Sequence, residues 1–137
     1  MAIAYFPSLA EADVVEVTFL RLSGGDVTLR LMIDTGMTGQ SPFAISQDSE
    51  SVAIRPAPSM HAVGALQGLQ KRVVVCYRVG NLTSNTTAAA IVADPSSMSL
   101  PAGIHGLAGL QFLRQFRRWG AERTESGWRF YLETDGV

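Results

Sequence analysis

The sequence has one cysteine, Cys76, and two histidines, His61 and His105, in 137 residues. A lone cysteine excludes a disulfide within the chain, and nothing argues for an oxidising compartment. So few soft ligands, so widely spaced, make no zinc pattern, and no metal is expected. Neither sign of charge dominates: 11 Lys and Arg stand against 12 Asp and Glu, a formal net charge of −1. No field of that size draws the chain to nucleic acid. No apolar run reaches the ~18 residues a membrane span needs. The first residues, Met1 to Pro7, lack the basic lead and long apolar stretch of a signal peptide. A cytoplasmic protein with neither nucleic-acid nor membrane partners is the expectation. Repeats, linkers and low-complexity segments are also missing, so residues 1–137 read as one domain.

Hydrophobic residues make up 47% of the chain and charged residues 17%, the balance of a folded domain large enough to bury a core. Their order is mostly period two. Val15, Val17 and Phe19 alternate with Glu16 and Thr18, predicting a strand from about Asp13 to Leu22. After the turn cluster Ser23-Gly24-Gly25-Asp26, a second strand puts Val27, Leu29, Leu31 and Ile33 on one face, and Asp34 falls on the other face at its end. Ser46 to Pro58 reads as loop, with a short extended piece around Val52 and Ile54. A hairpin follows through Gly64–Gly68 into a long strand with Leu69, Val73, Val75, Tyr77 and Val79 in register. Thr86 to Ala93, rich in small and β-branched residues, is another strand. Leu110 to about Phe116 alone has helical character, and Arg117 to Glu133 forms a closing hairpin turned at Thr124–Gly127. The class is mainly β with one short C-terminal helix.

The segment Leu31-Met32-Ile33-Asp34-Thr35-Gly36 carries the chemistry. An apolar strand delivers a carboxylate that can activate water, a hydroxyl that can brace the loop, and a glycine that admits a close neighbour. The bland reading of Asp34 is a strand-end turn residue, since Asp-x-Gly is common in turns. The glycines of residues 103–109 superficially suggest a dinucleotide fingerprint, but their spacing is wrong and no βαβ unit surrounds them. Arg114, Arg117, Arg118, Arg123 and Arg129 read as a solvated basic face, and Trp119 and Trp128 as interface or core. Cys76 reads as a small packing residue in mid-strand, and His105 as a satisfied loop histidine.

In these features the chain resembles the aspartic peptidases, specifically the single-domain, retropepsin-like group with bacterial and cellular members. The likeness rests on four elements in order: the strand ending in Asp34-Thr35-Gly36, the glycine-containing hairpin at Gly64–Gly68, Leu107-Ala108-Gly109 ahead of Leu110-Gln111-Phe112-Leu113, and the closing hairpin. The resemblance implies a closed acid-protease-type β-barrel and a homodimeric active site. Two carboxylates that share one proton are needed, and this chain supplies one such motif, so the second would be Asp34 of another copy across a twofold axis. The implied roles are Asp34, Thr35 and Gly36 at the catalytic centre, and Val63, Gly64, Ala65, Leu66, Gln67 and Gly68 as a flap over the substrate. Leu107, Ala108 and Gly109 would support the active-site loops. The implied substrate is a peptide or polypeptide held in extended form, with no cofactor. Met37 stands where pepsin-like enzymes carry a hydroxyl residue, which implies a less acidic working range. Leu110 stands where viral members carry an arginine, which implies that dimer stability rests elsewhere. Two other readings stay open: a catalytically silent retropepsin-like dimerisation or binding module, and a monomeric ligand-binding β-barrel.

Overall fold

The computed structural model describes residues 2–8, 12–62 and 68–135. Ten strands and one helical turn follow in chain order: β1 (Ala2–Pro7), β2 (Val14–Leu20), β3 (Val27–Asp34), β4 (Phe43–Ser46), β5 (Arg55–Ala62), β6 (Gly68–Arg78), β7 (Thr86–Ala93), β8 (Gly106–Gly109), α1 (Leu110–Leu113), β9 (Arg118–Thr124) and β10 (Gly127–Thr134). Short 3-10 turns occupy Gln47–Val52 and Pro95–Ser97. No helix among the described residues is long and apolar enough to cross a membrane.

Six strands close into a barrel. β2 pairs antiparallel with β3, β3 runs parallel to β8, and β8 is antiparallel to β4. β4 runs parallel to β7, β7 is antiparallel to β6, and β6 returns to β2 through Thr18–Leu20. Closure removes the exposed edges that an open sheet would leave. β5 lies outside the ring as an edge strand on β6. The alternation expected for β2, β3 and β6 is present: Val15, Val17, Phe19, Leu29, Leu31, Val73, Val75, Tyr77 and, just past β6, Val79 all enter one core, which Ala90 and Val92 of β7 join. At its centre Phe43 meets Tyr77, Phe112 and Phe19 with ring centroids 4.8, 5.3 and 5.5 Å apart. These spacings suit the edge-on contacts aromatic quadrupoles prefer.

Several expectations need correction. The stretch from Ser46 to Pro58 is not loop: a 3-10 turn and the first half of β5 occupy most of it. Pro56 and Pro58 argue against a strand, but an edge strand tolerates the missing N–H groups. The β5–β6 register slips between Ala57 and Met60, and there Arg72 Nε donates to the Pro58 carbonyl at 2.7 Å. Leu69 shares the parity of Val73 but is 65% exposed, because β6 has by then run past the barrel. The helix ends at Leu113 rather than near Phe116. The chain tightens there into i→i+3 bonds, Gln115 N–H to Phe112 and Phe116 N–H to Leu113, which still bury Phe116.

The closing hairpin acquires a third strand that the sequence reading did not assign. β1 pairs with β10 over all of its residues, giving the order β1-β10-β9. The inner face of this small sheet, with Phe6, Phe130 and Leu132, joins the barrel core, and Trp119 packs against it. Its outer face is aromatic and charged. Arg129 stacks over Tyr5 at 3.6 Å and pairs with Glu122, and Arg118 covers Tyr131 at 5.7 Å. Arg117 and Arg118 both approach the buried Glu133. Arg117, Arg118 and Arg129 of the basic group are therefore engaged with acidic or aromatic side chains, whereas Trp128 is 59% exposed and is not core.

Candidate active site

Asp34 is the last residue of β3, and its partner in the parallel ladder is Gly109, the last residue of β8. Three more pairs precede it: Leu31 with Gly106, Met32 with Leu107 and Ile33 with Ala108. The two segments singled out in the sequence, Asp34-Thr35-Gly36 and Leu107-Ala108-Gly109, are thus adjacent strand ends. The strand rigidly aims the carboxylate, and the chain leaves the sheet immediately after it.

The loop beyond Asp34 is tied down by backbone. Met37 N–H donates to the Asp34 carbonyl at 3.1 Å, closing a turn. The Met37 carbonyl accepts from Leu110 N–H at 2.9 Å, and Gly109 N–H donates to the Pro42 carbonyl at 2.8 Å. Gly36 N–H donates to Asp34 Oδ1 at 3.0 Å, a bond that fixes the orientation of the carboxylate. Among the described residues Asp34 forms no ion pair. The side chain is half-buried, and Thr35 and Gly36 are exposed beside it. One surface therefore presents a carboxylate, a hydroxyl and a bare backbone.

Space explains the glycines. A Cβ on Gly36 would lie 3.2 Å from Asp34 Oδ1, and one on Gly109 would lie 2.7 Å from the Met37 carbonyl oxygen. A Cβ on Gly106 would run into the Ala44 backbone. Ala108 is completely buried opposite Phe43, and its small side chain leaves room for that ring in the core. Leu107 points to the other side of the ladder. There, with Met37 and Leu100, it packs on a second cluster of Ala44, Ile91, Ala93 and Met98. The three support residues thus divide their work: Ala108 faces the barrel interior, Leu107 anchors the loop from outside, and Gly109 admits Met37.

The hairpin expected to act as a flap is formed by β5 and β6, which pair as far as Ala62 with Gly68. Gly68 has φ +92°, a conformation glycine adopts without strain. Val63, Gly64, Ala65, Leu66 and Gln67 lie outside the described residues. Among the described residues no three of His, Cys, Asp and Glu come together to hold a metal ion.

Sequence reasoning missed two contributors to this site. The Met37 and Pro42 carbonyls act through main-chain atoms, which leave no mark on residue type. Strand β4, which holds β8 from its far side, is buried at all four positions and so has no alternation to reveal it. The apolar run Phe43-Ala44-Ile45 after a glycine-containing loop was the available signal. Set against family models, curated proteins and solved structures, the chain matches none of them.

Proposed function

We propose that this chain is one half of a homodimeric, retropepsin-like aspartic endopeptidase, with Asp34 from each of two copies forming the catalytic dyad. The observation that carries this reading is the pairing of Asp34 with Gly109 at the ends of parallel strands in a closed barrel. It brings together two short segments far apart in sequence whose residue types suit this chemistry. Two carboxylates about 3 Å apart cannot both ionise, so the pair holds one proton between them. The ionised member takes a proton from a water placed between them as that water attacks the scissile carbonyl carbon. The protonated member donates to the carbonyl oxygen, giving a neutral tetrahedral intermediate. Collapse of that intermediate breaks the C–N bond: the protonated carboxyl gives its proton to the departing amine nitrogen, and the ionised one takes a proton from a hydroxyl of the intermediate, so that acid and amine leave and the dyad again holds one proton.

Thr35 would brace the two loops against each other, and Gly36 would keep space beside the carboxylate. The substrate is a polypeptide in extended form, with alternate side chains directed to opposite sides.

The test uses purified protein and Asp34→Asn with a denatured protein mixture between about pH 4 and pH 7. Sedimentation of both proteins accompanies the assay. Cleavage that the substitution abolishes in an intact dimer supports the peptidase. A dimer without cleavage at any pH points to a silent binding module, and a folded monomer at micromolar concentration to a ligand-binding barrel.

A further inference from the structure

His105 occupies a position that catalysis as described leaves unused. It is the residue before β8, half-buried, and its main chain extends the joint between β3 and β8. His105 N–H donates to the Arg30 carbonyl at 2.8 Å, and the His105 carbonyl accepts from Ser46 N–H at 2.9 Å on β4. The imidazole closes the remaining valence: Arg30 N–H donates to His105 Nδ1 at 3.0 Å. A side chain thus takes the place of a strand partner for the β3 amide four residues before Asp34.

That bond constrains protonation. An imidazole nitrogen can accept from an N–H only while it carries no proton, so the neutral ring holds its hydrogen on Nε2. A proton taken from solvent onto Nδ1 removes the acceptor and sets two N–H groups against each other. Arg30 N–H then loses its partner within the protein and is left to solvent, at the exposed margin of the sheet. The charged groups on the surrounding elements are Arg30 itself and, at the far end of the strand, Asp34 on β3, Glu16 opposite Arg30 on β2, and Asp48 and Glu50 in the turn after β4. None of these offers Arg30 N–H a substitute in the folded arrangement, where its partner is the imidazole.

We infer that His105 is an acid-released positioning residue: neutral, it latches the strand that carries Asp34 to the strand that carries Gly109, and protonated, it frees the start of that joint. Four residue pairs lie between this latch and the end of the ladder. Release at His105 therefore loosens the support of the Asp34 strand from its base while the barrel core stays closed. The inference does not depend on the peptidase reading, because it concerns a hydrogen bond and not a reaction.

Amide hydrogen exchange followed by NMR tests it, on the wild type, His105→Asn and His105→Phe. Asparagine offers an acceptor near the Nδ1 position that does not titrate, and phenylalanine offers none. Protection of the Arg30 amide, corrected for intrinsic rate, is compared at about pH 7.5 and about pH 5.0. The Ile54 amide, bonded to the Val74 carbonyl on another part of the barrel, reports any general acid loosening. Relative to Ile54, wild-type protection of Arg30 should fall by about tenfold or more on acidification. His105→Asn should hold its protection at both pH values, and His105→Phe should lack it at both. Arg30 protection that tracks Ile54 in the wild type overturns the inference, as does an equal acid loss in His105→Asn. Should His105→Phe fail to fold, the comparison of wild type with His105→Asn decides alone. No substrate enters the measurement, so its outcome is separate from that of the cleavage assay.

Discussion

Asp34 and Gly109 face each other as the last pair of a parallel ladder, and the Met37 carbonyl lies where a side chain on Gly109 would have to go. The acidic loop is therefore located by the absence of an atom. Because Met37 is itself bonded to Leu110, it cannot retreat without breaking the turn that begins at Asp34.

Gly109→Ala should accordingly destabilise the protein by about 1–3 kcal/mol, the range for an overpacked site that yields only by backbone shift. Gly39→Ala is the matched control. It has nothing within 4 Å of the added carbon and no positive φ, and should change stability by no more than about 0.5 kcal/mol. Urea denaturation midpoints of the two variants provide the comparison.

Asp34→Asn should leave the fold intact, since an amide oxygen can still accept from Gly36 N–H as Oδ1 does. Under the peptidase reading, cleavage should fall by about 10²–10⁴-fold, the usual contribution of a general acid–base group. Initial rates on a denatured protein, with a thermal melt as the control for folding, check both halves of the expectation.

Phe43→Ala removes the ring that joins Phe19, Tyr77 and Phe112, at a position with no exposed surface. Ala108 opposite is too small to fill the void. A loss of about 3–5 kcal/mol is expected from chemical denaturation.

Tyr77 gives a pH dependence of known sign. Burial pushes its phenol up from the ordinary 10.0, and its hydroxyl donates to Gln115 Oε1 at 2.7 Å. A raised folded-state value means the contribution is fully present below pH 10 and is lost as pH rises through the folded-state value. Tyr77→Phe removes both the bond and the titration. It should be less stable than wild type by about 1 kcal/mol at neutral pH, with Gln115 left short of a donor. That deficit should shrink above pH 10, measured by urea unfolding at fixed ionic strength.

The legible parts of this fold are those with a buried face and an exposed one. Strands β2 and β3 declared themselves through alternation, and so did most of β6, whereas β7 was visible through its small and β-branched residues. β4 did not, because all four of its residues are buried. β1 did not either: Ala4 and Phe6 are its only inward residues, and Pro7 ends it. Within the site, Asp34 was visible as a carboxylate after an apolar strand. The adjacency of Gly109 was legible only through resemblance, since parallel pairing between distant segments is set by the whole sheet. His105 was read as a satisfied loop histidine, which its three hydrogen bonds bear out. That its ring partner would be the Asp34 strand could not be read from composition or spacing.

The prolines of β5 bear on how the molecule behaves in a crowd. Pro56 and Pro58 withhold two donors from the outermost strand of the larger sheet, and the slip at Ala57 bends that rim out of register. A foreign strand approaching there meets an interrupted row of donors, a poor template for cross-β growth. A chain this rich in β-structure thereby carries its own guard against fibril formation at the border where the barrel cannot close over it.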